Sequence, residues 1–324
     1  MRPPETVRTR RRARAIAHML DWRREAGRLP QSIIPLIARV VRNFQTAGSR
    51  AIERSRRPLA IKRVRSKLAK TEVLMRHAGL RELIPETRRL SRESLSDMLH
   101  RYGMIYVKPD KGTYGNGVIR VERKQDGYLA RIDTRSFRYG SIDSLYDGLQ
   151  RLKRKGTYIA QRGIRLLKYK GRRFDIRVMV QKTPDGDWES TGIIGRLSHP
   201  RKIVTNYHSG GTPTAYSVLM SPHLDAARQK AYARQLRKLG VDTARQLQKR
   251  WPGVKEIGLD IAIDDSLKPW ILEVNTAPDP FIFRKLKDKS VFRKIWRYAV
   301  AYGKYRYRSR ISRAARARRK RAAR

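Results

Sequence analysis

The sequence predicts an α+β protein built on antiparallel sheets, with a basic segment at each end. Between Pro85 and Lys285, short β-type runs alternate with turns and helical stretches, without the strict strand-helix-strand order of a parallel sheet. The preceding part of the chain is Arg-rich and has helical periodicity, and the last part has few apolar residues. These observations predict an ordinary folded middle with two basic appendages.

The N-terminal part of the chain, residues 1–66, is predicted to form a basic and mainly helical extension. Its apolar residues recur at helical spacing, and Pro30 and Pro35 mark turns or helix starts. The pattern then predicts a further helix over Ser66–Gly79, with the glycine as its C-cap. The extension therefore leads directly into the folded middle of the chain.

The middle of the chain, residues 67–303, is predicted to form one domain. Its β-type runs are rich in β-branched and aromatic residues and end at turn residues. The predicted strands are Met104–Val107, Val118–Glu122, Thr157–Ala160, Phe174–Gln181, Trp188–Leu197, Ile257–Asp264 and Trp270–Asn275. Helices are predicted at Ser141–Arg154 and Pro222–Lys249. Residues 304–324 form a low-complexity basic segment and are predicted to be a disordered tail.

The composition narrows the range of functions. The chain has 77 Lys and Arg against 28 Asp and Glu, a formal net charge of +49, which predicts contact with a polyanion or an acidic surface, mainly through the basic ends. The absence of cysteine excludes disulfides, a thiolate nucleophile and a Cys-based zinc site. No apolar window approaches the length of about 18 residues that a membrane span needs, and the N-terminus lacks a signal-peptide cleavage pattern. The prediction is a cytoplasmic protein.

A glycine-rich loop follows the first predicted strand. Lys108 ends the strand, and Gly112, Gly115 and Gly117 come before the next one. Glycines at this spacing let backbone N–H groups converge on phosphate oxygens, and a lysine adds a positive charge. The loop can hold a triphosphate, although an ordinary glycine-rich hairpin turn is an equally common interpretation of this spacing.

Acidic and amide side chains are combined on two adjacent strands near the end of the domain. In Trp270–Asn275 the alternation places Glu273 and Asn275 on one face. A turn at Asp264–Pro269 brings the preceding strand alongside, with Asp260 near Glu273. Two carboxylates and an amide oxygen suit Mg²⁺, whereas a solvent-facing polar row is the alternative. The apolar sequence around them favours the metal site, since an unpaired carboxylate there is costly.

Two arginines and one extended segment complete the candidate site. Arg177 lies on one strand and Arg196 near the end of the next, and arginine can bind phosphate through two parallel hydrogen bonds. The segment Gln161, Arg162, Gly163 and Ile164 can read adenine through main-chain donors and acceptors. Solvated arginines and an ordinary strand are the alternative interpretations.

In chain order these motifs resemble the ATP-grasp superfamily, and more closely the YheC/YheD endospore coat-associated family. The matching stretches are LRELIPETRRL, YVKPDKGTYGNGVIRV, YIAQRGIRL, FDIRVMVQ, WESTGIIGRL, VTNYHSGGTP and GLDIAIDDSLKPWILEVNTAPD. The resemblance implies an ATP-grasp fold, in which two α+β subdomains enclose ATP, and it implies ATP and Mg²⁺ as cofactors. It covers about two thirds of the chain, from Lys67 to Asp279.

The resemblance also implies a role for individual residues. It implies that Lys67 and Lys108 contact the nucleotide phosphates and that Gly112, Gly115 and Gly117 form the small flexible loop. The implied adenine hinge is formed by Gln161, Arg162, Gly163 and Ile164. The implied phosphate arginines are Arg177 and Arg196, and the implied magnesium ligands are Asp260, Glu273 and Asn275. The chain departs from many ligases of the superfamily at Gly258, where they carry an arginine near the acyl phosphate.

The function that the resemblance implies is a Mg-ATP-dependent ligase that activates an acceptor carboxylate as an acyl phosphate. Two alternatives remain from the sequence, besides nucleic-acid binding, which is disfavoured because the basic tail lacks the interleaved aromatic residues of a base-stacking platform. One is a kinase that stops at the phosphorylated product. The other is a structural protein that binds a polyanion or a spore-coat component through its basic termini, with a vestigial ATP site and a location at the spore coat.

Overall fold

Two antiparallel sheets form the frame of the protein. The structure is a computed structural model that describes residues 60–113 and 115–305. The first sheet contains β1 Thr87–Arg89, β2 Met104–Pro109, β3 Ile119–Lys124, β4 Gly127–Ile132, β5 Arg135–Tyr139 and β6 Tyr158–Arg162, in the order β1-β6-β2-β3-β4-β5. The second contains β7 Lys168–Tyr169, β8 Arg172–Lys182, β9 Trp188–Leu197, β10 Thr212–Thr214, β11 Glu256–Ile263 and β12 Pro269–Asn275, in the order β10-β9-β8-β11-β12 with β7 beside β8. The helices are α1 Lys67–Met75, α2 Ala78–Arg81, α3 Arg92–Tyr102, α4 Ile142–Leu152, α5 Tyr216–Met220, α6 Ala226–Arg250 and α7 Lys289–Ala301.

The first sheet is covered by α3 and α4. Each helix begins at a serine, Ser91 or Ser141, whose hydroxyl accepts a hydrogen bond from the backbone N–H three residues on, in a reciprocal capping box. Such caps satisfy N–H groups that a helix leaves unpaired at its start. The buried leucines of both helices pack on the apolar face of the sheet, so this lobe has a hydrophobic core of its own.

The second sheet is covered on one face by α6 and α1. Ile176, Val178 and Val180 alternate along β8 toward this face and join the larger core. Gly240 of α6 lies so close to β8 that an added Cβ would lie 2.8 Å from a methyl carbon of Val180. Because these even-numbered residues pack against the helices, Asp175 and its odd-numbered neighbours face the opposite side of the sheet.

The opposite face of the second sheet is partly covered by α7. Its Ile295 packs with Met179, Ile194 and Phe283 in a separate apolar cluster. Beyond the helix, the Lys304 ammonium lies 2.6 Å from a carboxylate oxygen of the buried Glu256. Lys304, the first residue of the predicted tail, therefore contacts the domain.

The predicted α+β class with antiparallel sheets is confirmed, and each predicted strand overlaps an observed one. The structure adds the strands β1, β4, β5, β7 and β10. The single helix predicted over Ser66–Gly79 is wrong, because α1 ends at Met75 and Gly79 lies within the short α2. Arg76 closes α1 with right-handed backbone angles, so no glycine is needed there.

The basic ends lie mostly outside the described residues. Of the predicted N-terminal extension, residues 60–66 are described and contain no helix; the Lys62 N–H donates to Gly253 O at 2.8 Å, and the Val64 N–H donates to Thr276 Oγ1 at 2.7 Å. The predictions for residues 1–59 and 306–324 fall on parts that the structure does not describe. Within the described ranges, no helix has the length and apolarity that crossing a membrane requires.

Candidate functional site

A narrow cleft lies between the two sheets and is lined by polar side chains from both of them. The first sheet contributes Lys108 of β2 and Gln161 of β6, and the second contributes charged residues of β8, β9, β11 and β12. Gln161 connects the two lobes, because its Nε2 donates to Thr87 Oγ1 at 3.1 Å and is 3.4 Å from Leu272 O. The cleft is therefore a charged site built from strands that are far apart in the chain.

Lys108 enters the cleft at the end of β2. Its ammonium donates to Gln161 Oε1 at 2.6 Å. Burial lowers the pKa of Lys108 to about 8, and the repulsion of Lys67 acts in the same direction, while the attraction of Glu273 opposes both. Because Gln161 is neutral, the lysine has no ion pair inside the described structure and can meet an anionic ligand.

Lys67 reaches the same place from the start of α1. Its ammonium donates to Pro109 O and Gly112 O, both at 3.1 Å, and lies 3.6 Å from Glu273 Oε1. The helix start is held there by Asp110, whose carboxylate accepts from the Leu68 N–H at 2.8 Å. The sequence-predicted lysine is thus tied to the glycine-rich loop.

A second lysine of α1 was not singled out from the sequence. Lys70 lies one helical turn after Lys67 and is 4% exposed. Burial lowers its pKa to about 8, against the attraction of Glu273. The spacing of three residues between Lys67 and Lys70 could have indicated that both lysines point to the same site, since residues at this spacing share a helix face.

The glycine-rich loop crosses from β2 to β3 beside the cleft. Gly115 and Gly117 have φ angles of +77° and +73°, which only glycine adopts readily. A Cβ at Gly115 would lie 3.0 Å from Asn206 Oδ1, so the loop lies close to the segment after β9. Tyr114 is outside the described residues.

The cleft face of the second sheet carries a row of paired charges. Asp175 of β8 faces Arg196 of β9, and Arg177 of β8 faces Asp260 of β11. Arg196 donates through Nε to Asp175 Oδ1 at 2.8 Å, and its Nη2 is 2.5 Å from Asp175 Oδ2 and 3.0 Å from Asp260 Oδ2. Arg177 donates to Asp260 through both Nε and Nη2. All four side chains are buried, so the pairs act at low dielectric.

The charges within this row stabilise one another. Burial alone raises the pKa of Asp260, but Arg177 and Arg196 outweigh it and hold that pKa below the ordinary value of an aspartate. Burial likewise opposes the charge of Arg196, whereas Asp175 and Asp260 raise the pKa of its guanidinium above the usual value. Arg196 is therefore charged, and hydrogen bonds to carboxylates hold both arginines in position before any ligand enters.

Of the predicted magnesium ligands, Asp260 belongs to this row, and Glu273 and Asn275 lie beside it. The register pairs Asp260 of β11 with Glu273 of β12, and Asn275 follows on the same face as Glu273. The side chain of Glu273 is 23% exposed, and the two oxygens of Asp260 accept from arginines. Asn275 donates through Nδ2 to Asp260 Oδ2 at 3.3 Å, which leaves its amide oxygen as an acceptor.

The donor set fits a magnesium ion that shares its shell with phosphate oxygens and water. Glu273 supplies a carboxylate and Asn275 an amide oxygen, both hard ligands of the kind that Mg²⁺ prefers. Asp260 would have to exchange an arginine contact for the ion, and its assignment as a ligand remains a prediction. Within the described residues no group of three or more His, Cys, Asp or Glu side chains forms a self-contained metal site.

The predicted adenine hinge has one spare main-chain donor. The N–H groups of Arg162 and Gly163 donate to Glu86 O at 2.8 Å and Met104 O at 2.9 Å, so they cannot bind a base. The N–H of Ile164, a residue 5% exposed beside the cleft, makes no backbone hydrogen bond in the described structure. Ile164 is the position of the segment best placed to donate to a ligand.

Gly258, where many ATP-grasp ligases carry an arginine, lies beside Arg177. A Cβ added at Gly258 would lie 3.0 Å from Arg177 Nη1 and 3.2 Å from its Cδ. The guanidinium of the neighbouring strand thus occupies the space that a side chain at this position would need. The glycine is explained by Arg177 together with Pro278, whose Cβ would lie 2.7 Å from the added atom.

A family profile described as "YheC/D like ATP-grasp" matches residues 58–305, which is most of the chain. The chain belongs to this ATP-grasp family. The resemblance inferred from the sequence motifs is confirmed, together with the ATP-grasp fold class. The match includes both sheets, the glycine-rich loop and the row of paired charges described above.

Two curated relatives of this ATP-grasp chain come from Bacillus subtilis (strain 168). The endospore coat-associated protein YheD is 27% identical over 197 residues, which is 59% of this chain and 43% of YheD. The endospore coat-associated protein YheC is 22% identical over 210 residues, which is 63% of this chain and 57% of YheC. The chain spans about half the length of the curated relatives it matches.

Solved structures with a similar fold include two synthetases. D-cycloserine synthetase DcsG has a TM-score of 0.47 at 12% identity, with 73% of this chain and 69% of DcsG covered. N5-carboxyaminoimidazole ribonucleotide synthetase from Thermotoga maritima has a TM-score of 0.41 at 12% identity, with 74% of this chain and 49% of that chain covered.

Proposed function

We propose that this ATP-grasp protein is a Mg-ATP-dependent ligase that activates an acceptor carboxylate as an acyl phosphate. One observation carries the proposal: Lys108 of the first lobe faces charged residues of the second lobe, Arg196 and Glu273 among them, across a single cleft. Lys67, at the start of α1, lies at the junction of the lobes, because its ammonium donates to Pro109 O and Gly112 O and is 3.6 Å from Glu273. The family match supports ATP as the ligand of this cleft.

In the proposed complex, Lys108 and Lys67 bind phosphate oxygens, and the loop of Gly112, Gly115 and Gly117 covers them with backbone N–H groups. The adenine lies against the segment from Gln161 to Ile164, and the Ile164 N–H donates a hydrogen bond to it. The ammonium of Lys108 exchanges its bond to Gln161 for one to phosphate. This exchange offsets part of the cost of burying the lysine.

Glu273 and Asn275 would hold the magnesium ion, with Asp260 as the third predicted ligand. When bound, the ion supplies electrostatic stabilisation of the phosphate charge. The Lys67 ammonium lies beside this carboxylate, 3.6 Å from Glu273 Oε1.

Arg177 and Arg196 would stabilise the phosphoryl group during transfer to the acceptor carboxylate. Their bonds to Asp175 and Asp260 hold them in position, so little reorganisation is needed at the moment of transfer. An amine or another nucleophile then attacks the acyl phosphate, forms the new bond to the acyl carbon and releases inorganic phosphate. Positioning and electrostatics supply the catalysis.

A kinase is the second candidate, since the same groups would serve a reaction that ends at the phosphorylated product. The buried acidic partners of Arg177 and Arg196 are intact, which argues against a vestigial site in a purely structural protein. We infer that the protein is cytoplasmic and that its basic termini contact a polyanion or a spore-coat component. The names of the two Bacillus relatives support the spore-coat link.

The test is incubation of the purified protein with Mg-ATP and a cell or spore extract fractionated by size. A ligase releases ADP and free phosphate together, and an acceptor gains the mass of its partner minus water. A kinase releases ADP alone, and the acceptor gains the mass of a phosphoryl group. ATP that remains intact with every fraction, while the protein stays folded, contradicts both enzymatic candidates.

The proposal predicts that ATP binding weakens as pH rises through about 8, where Lys108 loses its charge. The lysine is protonated below this pH and neutral above it, and only the charged form attracts phosphate strongly. Lys108→Arg should remove the decline, because arginine stays protonated. The measurement is an ATP titration from neutral to alkaline pH, and a decline that persists in the arginine variant would contradict the assignment and point to Lys70, whose pKa is also about 8.

A further inference from the structure

A broad basic groove of about 930 Å³ lies beside the proposed nucleotide cleft. It begins at the segment after the adenine hinge and continues along the β7-β8 hairpin. Five of its side chains define what we call the hairpin cations: Arg165, Lys168, Lys170, Arg172 and Arg173. Asp265 is the single acidic residue that lines the groove in the part of the chain described. The groove is distinct from the lysines and arginines assigned to ATP.

The hairpin cations are not neutralised by the protein. Arg120, which also lines the groove, is paired with Glu122 at 2.8 Å, but none of the hairpin cations forms an ion pair with another described residue. Lys170 instead lies over the ring of Tyr169, 5.8 Å from its centroid. Like charges gathered in one groove repel one another, and an anionic ligand would remove that repulsion.

Two of the hairpin cations are held in place by main-chain carbonyls. Arg172 donates through Nε and Nη2 to Ser198 O, at 2.8 Å and 2.5 Å, and Arg173 donates through Nη2 to Lys202 O at 3.3 Å. Neutral acceptors position the guanidinium groups without cancelling their charge. The cost of ordering them on binding is therefore already met in the free protein.

The floor of the groove is apolar and joins the proposed nucleotide cleft. Tyr106, Ile164 and Leu166 line both the groove and the cleft. Met104 and Pro200 extend the apolar floor away from the cleft. A ligand of the groove would thus meet cations on the hairpin side and apolar side chains beneath it.

We propose that the groove binds an acidic polypeptide segment in which carboxylate side chains alternate with apolar ones. The carboxylates would pair with the hairpin cations, and the apolar side chains would contact Met104, Leu166 and Pro200. A single-stranded nucleic acid fits less well, because it needs several exposed aromatic faces for its bases. Among the described lining residues, Tyr106 is the one Phe, Tyr or Trp side chain, and it is half-buried.

The first test locates the contact by cross-linking the full-length protein to a labelled 20-residue peptide of repeated Glu-Glu-Leu. A carbodiimide joins a peptide carboxylate to a lysine amine as an amide, and peptide mapping by mass spectrometry identifies the lysine. We expect Lys168 and Lys170 to be modified in preference to Lys230, an exposed lysine of α6. Equal modification of the three lysines would overturn the proposal.

The second test measures affinity by fluorescence anisotropy at about 0.15 M salt, where exposed charges further apart than about 8 Å are largely screened. The groove variant is Arg165→Glu with Lys168→Glu, and the control is Lys230→Glu with Arg234→Glu, which changes the net charge equally on exposed residues of α6. We expect the groove variant to weaken peptide binding by about tenfold and the control by less than about twofold.

The same titration with a 20-nucleotide single-stranded DNA separates the two classes of polymer. Binding through the basic termini is common to both variants, so DNA affinity should fall equally in them. A loss of DNA binding confined to the groove variant would show that the groove takes nucleic acid and would overturn the proposal. Equal loss of peptide binding in both variants would show that only net charge matters and would overturn it as well. These outcomes do not depend on ATP turnover.

Discussion

Glu273→Gln is expected to abolish Mg-dependent ATP turnover while the free protein unfolds at nearly the same temperature. Glutamine keeps the shape of the side chain but removes the negative charge that attracts the metal. Several kcal/mol of metal-assisted stabilisation correspond to a loss of about 100-fold or more in rate. The carboxylate is 23% exposed, and its 3.6 Å separation from the Lys67 ammonium is longer than a hydrogen bond, so we expect little loss of fold stability.

Glu189→Gln is the matched control for this prediction. Its carboxylate is also partly exposed and pairs with Lys294 and Tyr298, on the α7 side of the second sheet. Turnover should be unchanged in this variant. If Glu273→Gln turned over ATP at the wild-type rate, Glu273 would not be a metal ligand, and a large drop in its unfolding temperature would attribute lost activity to folding instead.

Asp175→Asn is expected to destabilise the protein by about 3 kcal/mol, because it removes one charge from a buried pair and leaves Arg196 undercompensated. Asp175 is 2% exposed and accepts from Arg196 at 2.8 Å and from Thr205 Oγ1 at 2.6 Å. Asparagine is nearly the same size, so the loss would reflect charge and hydrogen bonding rather than a cavity. Urea unfolding measures it directly.

The control is Asp126→Asn, on the turn between β3 and β4. Its carboxylate is 79% exposed and 3.9 Å from Arg138, so its loss should cost less than about 1 kcal/mol. Equal stability of the wild-type protein and Asp175→Asn would contradict the view that the buried charge row holds the arginines in place. A matching loss in the control would indicate a general effect of removing acidic charge from a basic protein.

Local periodicity was sufficient to predict several parts of the site. Alternation along β12 placed Glu273 and Asn275 on one face, and the turn after Asp264 correctly brought β11 and β12 together. Lys108 was placed correctly at the end of a strand before the glycine-rich loop. These inferences depend on neighbouring residues in the chain, for which strand geometry gives definite directions.

The partners of Asp260 could not be predicted in this way. Its oxygens accept from Arg177, 83 residues earlier, because β8 pairs with β11. The order of strands in a sheet is a long-range property that a single sequence does not encode in any local pattern. The sequence therefore predicted a carboxylate near Glu273 but not its engagement by two arginines.

The shortest elements were also beyond sequence analysis. The strands β1, β7 and β10 contain two or three residues each, too few to show alternation. The break between α1 and α2 was missed because Gly79 favoured a C-cap that the structure does not use. Burial of Lys70 depends on the packing of α1 against the sheet, and the lysine alone suggested an exposed residue.

Calorimetric titration of the full-length protein with nucleotide will show whether the cleft between the two sheets binds Mg-ATP through phosphate contacts. We expect saturable binding of Mg-ATP at one site per chain and much weaker binding of adenosine, which lacks the phosphate groups that we propose Lys67 and Lys108 contact. Equal affinity for ATP and adenosine, or no saturable binding of Mg-ATP by the folded protein, would contradict this expectation.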